Sequence, residues 1–136
     1  MASKPGTADC PCGKGKLAAC CARFLSGTLP AETAEQLMRS RYSAFALGDE
    51  DYLRSTWHPD TLPDETLTGE SGVKWIALDV LAHQQDGNAA TVEFVARFKL
   101  SGRAHRLHEV SNFVRQADAS GQLRWYYVDG VFPGHE

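Results

Sequence analysis

The 136-residue chain has no apolar stretch near the roughly 20 residues that a membrane-spanning helix needs. Its opening, MASKPGTADC, carries no apolar segment of an export signal. No membrane association is therefore expected, and the expected location is a reducing one, the cytoplasm. No cysteine occurs after Cys21, so no disulfide can staple the body of the chain. There is no Gly-rich phosphate loop, no G-x-S-x-G and no H-E-x-x-H. Acids are missing from Arg97 to His108, whereas residues 32–70 hold nine acids against three arginines. The overall charge of −3 argues against a dedicated nucleic-acid binder.

What the sequence does hold is a local cluster of thiols. Cys10, Cys12, Cys20 and Cys21 follow the pattern C-x-C-x7-C-C. Four thiolates within reach of one point are what tetrahedral zinc requires, and a closed four-sulfur shell leaves no place for a catalytic water. A redox-active or incidental thiol cluster, or a site of three cysteines and another ligand, remains open on spacing alone. Pro11 fixes a backbone dihedral, and Gly13 and Gly15 permit a tight knuckle. Residues 1–24 carry four bases against Asp9, and Lys14 and Lys16 are expected to offset a cluster charge of about −2.

Residues 1–9 read as a tail and 10–29 as the cysteine module and its exit. A helix is expected over Thr33–Leu47, with a Thr33/Gln36 cap, a Gly48 stop and an apolar stripe of Ala34, Leu37, Met38, Tyr42 and Phe45. Asp49 caps a second helix, about 50–57, ended by His58-Pro59, and a helical turn is expected after Pro63. From Val73 the period is two, giving strands near 73–83, 90–100, 104–116 and 124–129. Helices followed by an antiparallel meander make an α+β domain, with helices on one face of a curved sheet. The basic hairpin Arg97, Lys99, Arg103, Arg106 reads as a solvated edge.

Arg41 breaks its pattern. It falls about 40° from Leu37 on the helical wheel, inside the apolar stripe. A charge aimed at a core needs a partner. Glu109 and Asp129 are the candidates, each on a strand face shared with apolar residues. With Trp57, His58 and Tyr127 they form a possible pocket for a small ligand or a reaction. His105 and His108 are expected on opposite strand faces, unable to share a metal. His83 and His135 carry no functional reading.

Two stretches together resemble the YchJ-type family of bacterial proteins. One is Cys10-Pro-Cys-Gly-Lys-Gly with Cys20-Cys21, similar to the SEC-C zinc motif also found at the C-terminus of the SecA translocation ATPase. The other is LMRSRYSAFALGDEDYLRSTWHP (37–59), supported by RLHEVSNFVR (106–115) and RWYYVDG (124–130). The resemblance implies a nuclear transport factor 2-like cone over 30–136, preceded by a SEC-C module within 1–29, with zinc on all four cysteines. Seven residues separate Cys12 from Cys20 where the motif usually has eight, and its usual aromatic is missing. The family brings no established activity. SEC-C relatives point to a protein partner, in SecA the chaperone SecB and the ribosome. Enzymatic or ligand-binding use of the cone is the rival expectation.

Overall fold

The computed structural model describes residues 9–27, 29–68 and 72–133. The expected tail, apart from Asp9, lies outside them, as does His135. Asp9 pairs with Lys16 across the first knuckle, by a backbone bridge and a 2.8 Å ion pair. After the knuckle come a 3₁₀ turn (Leu17–Ala19) and helices α1 (Ala22–Leu25), α2 (Ala34–Leu47) and α3 (Glu50–Ser55). Strands β1 (Lys74–Asp86), β2 (Ala89–Leu100), β3 (Arg103–Ala117) and β4 (Leu123–Val131) follow. They form one antiparallel meander in the order β1-β2-β3-β4. The α+β expectation holds. The 3₁₀ turn and α1 have no apolar period of their own and were not expected.

α2 is fixed at both ends by its sequence. Thr33 Oγ1 accepts from Gln36 N at 3.1 Å, and Gln36 Oε1 reaches back to Glu32 N at 2.7 Å. Such a cap contributes about 1 kcal/mol. Gly48 closes the helix at φ 75°, where any side chain would be strained. Asp49 then caps α3 by accepting from Tyr52 N. Leu37, Met38 and Tyr42 are buried as their stripe predicts, while Phe45 is only half-buried. Ser40, Ser43 and Ala44 are buried too, so α2 is covered on more than its sheet-facing side. Ser40 hydrogen-bonds Tyr52 of α3 at 2.6 Å.

β2 alternates as expected, with Val92, Phe94 and Ala96 turned into the core beside Phe113 and Trp125. Each large side chain buried there is worth about 1.5–3 kcal/mol. Trp125 Nε1 donates to Glu32 O at 3.2 Å and ties β4 to the entry of α2. The β2–β3 turn uses positive φ at both Ser101 and Gly102, the geometry that matches strand twist. The basic hairpin is an edge on one side only. β1 covers Lys99 and Arg97 of β2, whereas β4 joins β3 only from Val110, leaving 103–109 unpaired on that side.

No helical turn forms after Pro63. α3 holds that segment by side chains instead. Arg54 donates to the carbonyls of Pro63 and Glu65, and Glu50 accepts from the amides of Leu67 and Thr68 and from the Thr68 hydroxyl. Backbone groups satisfied this way have no call on a helix. The Leu67 amide, helped by Thr68 and Arg54, lowers the Glu50 carboxyl to about 2. A carboxyl held below its usual 4.5 contributes fully above that value and loses its contribution as pH falls through about 2. Glu50→Ala is therefore expected to accelerate amide exchange at Leu67 and Thr68 at pH 7. The wild type should approach the variant only on strong acidification. Equal exchange in the two proteins at neutral pH contradicts the clasp.

Candidate metal centre

The knuckle is built by local turns. Cys10 N donates to Gly15 O at 2.7 Å and Gly13 N to Cys10 O at 3.0 Å. The 3₁₀ turn then carries the chain back, and α1 starts from Cys21, whose carbonyl accepts from Phe24 and Leu25. The four sulfurs lie within 4.8 Å of one another, with Cys12 and Cys20 at 3.6 Å. Tetrahedral Zn–S bonds of about 2.3 Å put sulfurs about 3.8 Å apart. The seven-residue loop therefore still brings all four sulfurs to one point, and all four are free thiols.

Cys12 is shifted in one direction, and Cys20 and Cys21 in the other. Cys12 is pulled down to about 5, first by the Cys21 thiol donating to it, then by the Lys14 amide and the thiols of Cys10 and Cys20. Burial, and then the neighbouring Cys12, push Cys20 up to about 11. Cys21 is pushed far higher, by its hydrogen bond to Cys12 and by burial. The thiolate is thus favoured at Cys12 and disfavoured at Cys20 and Cys21. A divalent cation replaces the shared protons and permits the rest to ionise. The donor set, its convergence and its burial all fit a soft tetrahedral metal.

The charge balance differs from the expectation. Lys16 is taken by Asp9, and Lys14 acts on Cys12 through its backbone amide. The outer support comes from α2, which sequence reasoning missed. Ser43 Oγ lies 3.4 Å from Cys10 Sγ, and Arg39 donates to Cys12 O at 3.2 Å while paired with Glu35. Cys10, Cys12 and Cys21 belong to the same buried cluster as Leu37, Met38 and Tyr42. Cys12, Gly13 and Lys14 also border a shallow concavity of about 540 Å³ at the β1 edge, with Arg39, Arg97 and Arg106 as its other cations and Asp79 as its acid.

Of the six residues expected around a pocket, Arg41, Trp57, Glu109 and Tyr127 line one cavity, of about 250 Å³, between α2 and the concave sheet. His58 does not. Its Nδ1 accepts from Asp60 N, its Nε2 pairs with Gln116, and its backbone amide bonds Tyr127 O. Asp129 does not either. Val128 is skipped in the pairing between Phe113↔Tyr127 and Asn112↔Asp129, and this bulge turns Asp129 outward onto Asn112. His105 stacks on Phe98 and His108 pairs with Glu93, on opposite faces as expected.

The expected Arg41–carboxylate ion pair does not form among the described residues. Arg41 Nη1 donates to Leu53 O at 2.8 Å and to Thr56 Oγ1 at 2.7 Å. The guanidinium lies over the rings of Tyr127 and Trp57, at 4.7 and 5.1 Å. Burial lowers Arg41 to about 10, which keeps it charged at neutral pH. Glu109 Oε2 instead accepts from Ser111 Oγ at 2.7 Å and Tyr127 Oη at 3.1 Å. Gly130 packs against this carboxylate so closely that a methyl group would overlap it. A glycine at a strand end is the signal that finds this residue. Gly130→Ala is expected to lower stability by about 1–3 kcal/mol in urea unfolding, through the displaced Glu109. An unchanged midpoint contradicts that packing.

The family model described as "YchJ, middle NTF2-like domain" matches residues 33–130. A UPF0225 protein of Ralstonia nicotianae is 57% identical over 132 residues, covering 91% of each chain. One from Bordetella pertussis is 54% identical over 127 residues, covering 90% of this chain and 92% of its own. Among solved structures, a SEC-C motif containing protein of Rhodopseudomonas palustris aligns with TM-score 0.78 at 36% identity, over 90% of this chain and 97% of that one. Another, from Psychrobacter arcticus, aligns with TM-score 0.79 at 29% identity, over 96% and 84%.

Proposed function

The chain belongs to the YchJ-type UPF0225 family, and from that premise we propose that it is a cytoplasmic zinc protein whose metal knuckle serves as an interaction module for a protein partner. Zinc is favoured over other metals by an all-sulfur donor set of four, converging within 4.8 Å. Its role is to hold the knuckle against α2, since no ligand position is left for chemistry. A reducing compartment suits four unbridged thiols.

The observation that carries the interaction reading is where the knuckle ends up. Lys14 on the knuckle, Arg39 on α2, and Arg97 and Arg106 on the sheet border one concavity with a single acid. Two basic segments far apart in sequence are brought to one surface. That surface suits an acidic segment of another protein. Arg39 and Arg97 keep intramolecular partners, Glu35 and Asp79, so the surface is moderately rather than strongly basic, which favours a protein over a polyphosphate backbone.

Two outcomes test this reading. Protein purified under reducing conditions should carry one zinc per chain by mass spectrometry, and its cobalt-substituted form should show thiolate-to-metal charge-transfer bands. Chelation should open all four thiols to modification. Metal-free protein with unreactive thiols rules the zinc centre out. Photocrosslinkers placed at Lys14 and at Arg97 should capture the same protein in cells. The capture should fall on Arg106→Glu and survive nuclease treatment. Disjoint captures, or loss on nuclease treatment, overturn the interaction reading.

A further inference from the structure

The cavity between α2 and the sheet has a polar floor in apolar walls. Arg41, Glu109 and Ser111 are buried at its base, with Phe94 and Phe113 beside them. Phe45, Trp57, Trp75 and Leu107 line it higher up and are only half-buried, so they form its rim. No cysteine lines this cavity; Cys12, Cys20 and Cys21 border other surfaces.

Both charges on the floor are half used. Arg41 spends Nη1 on Leu53 and Thr56, and its remaining N–H groups have no acceptor among the described residues. Glu109 spends Oε2 on Ser111 and Tyr127, and its Oε1 has no donor among them. No ion pair joins the two groups among the described residues, each being bonded to other partners. They are held apart by fixed partners: the α3 exit holds the guanidinium, and Tyr127 holds the carboxylate. No sealed side-chain N or O lacks a partner among the described residues, so the free groups of these two side chains are accessible, and both side chains line the void, where a ligand completes them. Gly130 keeps the space in which the carboxylate lies.

The geometry points to a binding site for a small, net-neutral, planar molecule bearing both a hydrogen-bond acceptor and a donor, such as an amide on an aromatic ring. The acceptor meets Arg41 and the donor meets Glu109. The planar body lies between Phe94, Phe113 and the rim aromatics. Neutrality follows from the floor, where one cation and one anion cancel. A ligand with a single charge would satisfy one of them and oppose the other. Size follows from the 250 Å³, room for about ten non-hydrogen atoms and smaller than a drug-sized pocket.

The test uses the full-length, metal-loaded protein and four probes of similar size: benzamide, benzoate, benzylammonium and toluene. The indole N–H signals of Trp57 and Trp75 are followed by NMR during titration. Benzamide should shift them saturably, and each of the other three should bind at least about tenfold more weakly. Ala96→Leu, which adds apolar volume to the cavity from β2, should abolish the shift. Glu109→Gln should weaken benzamide several-fold while leaving toluene unchanged. No saturable shift with any probe overturns the site. Toluene binding as well as benzamide reduces it to an apolar void, and a preference for benzoate or benzylammonium overturns the net-neutral class.

Discussion

The rest of the structure depends on α2 being buried from several sides at once. Its one face meets the sheet through Leu37, Met38 and Tyr42, and Ser40 meets α3 through Tyr52. Ser43 and Arg39 meet the thiol knuckle. A helix held this way cannot shift toward one neighbour without opening a gap at another, because close-packed interiors transmit displacement. The knuckle and the cavity are therefore coupled by position, though no ligand group is shared. Cys10, Cys12 and Cys21 are part of the core that fixes α2, and α2 carries Arg41 to the cavity floor.

Arg41 shows how a buried charge is kept without a carboxylate against it. An ion pair in a low-dielectric interior must repay two desolvations. Here both charges are buried, but each is solvated at its own position by its own partners. A carbonyl and a hydroxyl accept from one nitrogen, and two ring faces provide negative potential over the delocalised cation. Glu109 still raises Arg41's proton affinity from a distance, after Tyr127 and Tyr52. Arginine suits this place better than lysine, since a compact ammonium cannot spread across two rings while holding two acceptors.

The sequence carries the elements better than their joints. α2 is legible because cap, stripe and stop agree, and β2 because strict alternation survives over its length. The thiol cluster is legible because four ligands sit in one short segment. Arg41 is legible as an anomaly, and its helix face is right, but its partners are not. Those partners, Leu53 O and the Tyr127 ring, come from tertiary docking of α3 and β4, which leaves no local pattern. The segment after Pro63 is misread for a related reason. A proline ahead of acidic residues fits a helix start, but two side chains of α3 reach its backbone first.

The bulge at Val128 decides more than its size suggests. Without it, strict alternation from Trp125 and Tyr127 would carry Asp129 inward, opposite Ser111 and diagonal to Glu109 on the paired strand. Two carboxylates in one apolar cavity would drive one of them to stay protonated. The extra residue sends Asp129 out to Asn112 and pairs Gly130 with Ser111 instead. The inward place is then filled by a residue with no side chain, where Glu109 needs the room. One inserted residue thus removes an excess negative charge from the cavity and makes space for the one that stays. The balance between Arg41 and Glu109 is a consequence of strand register, and not of composition along either strand.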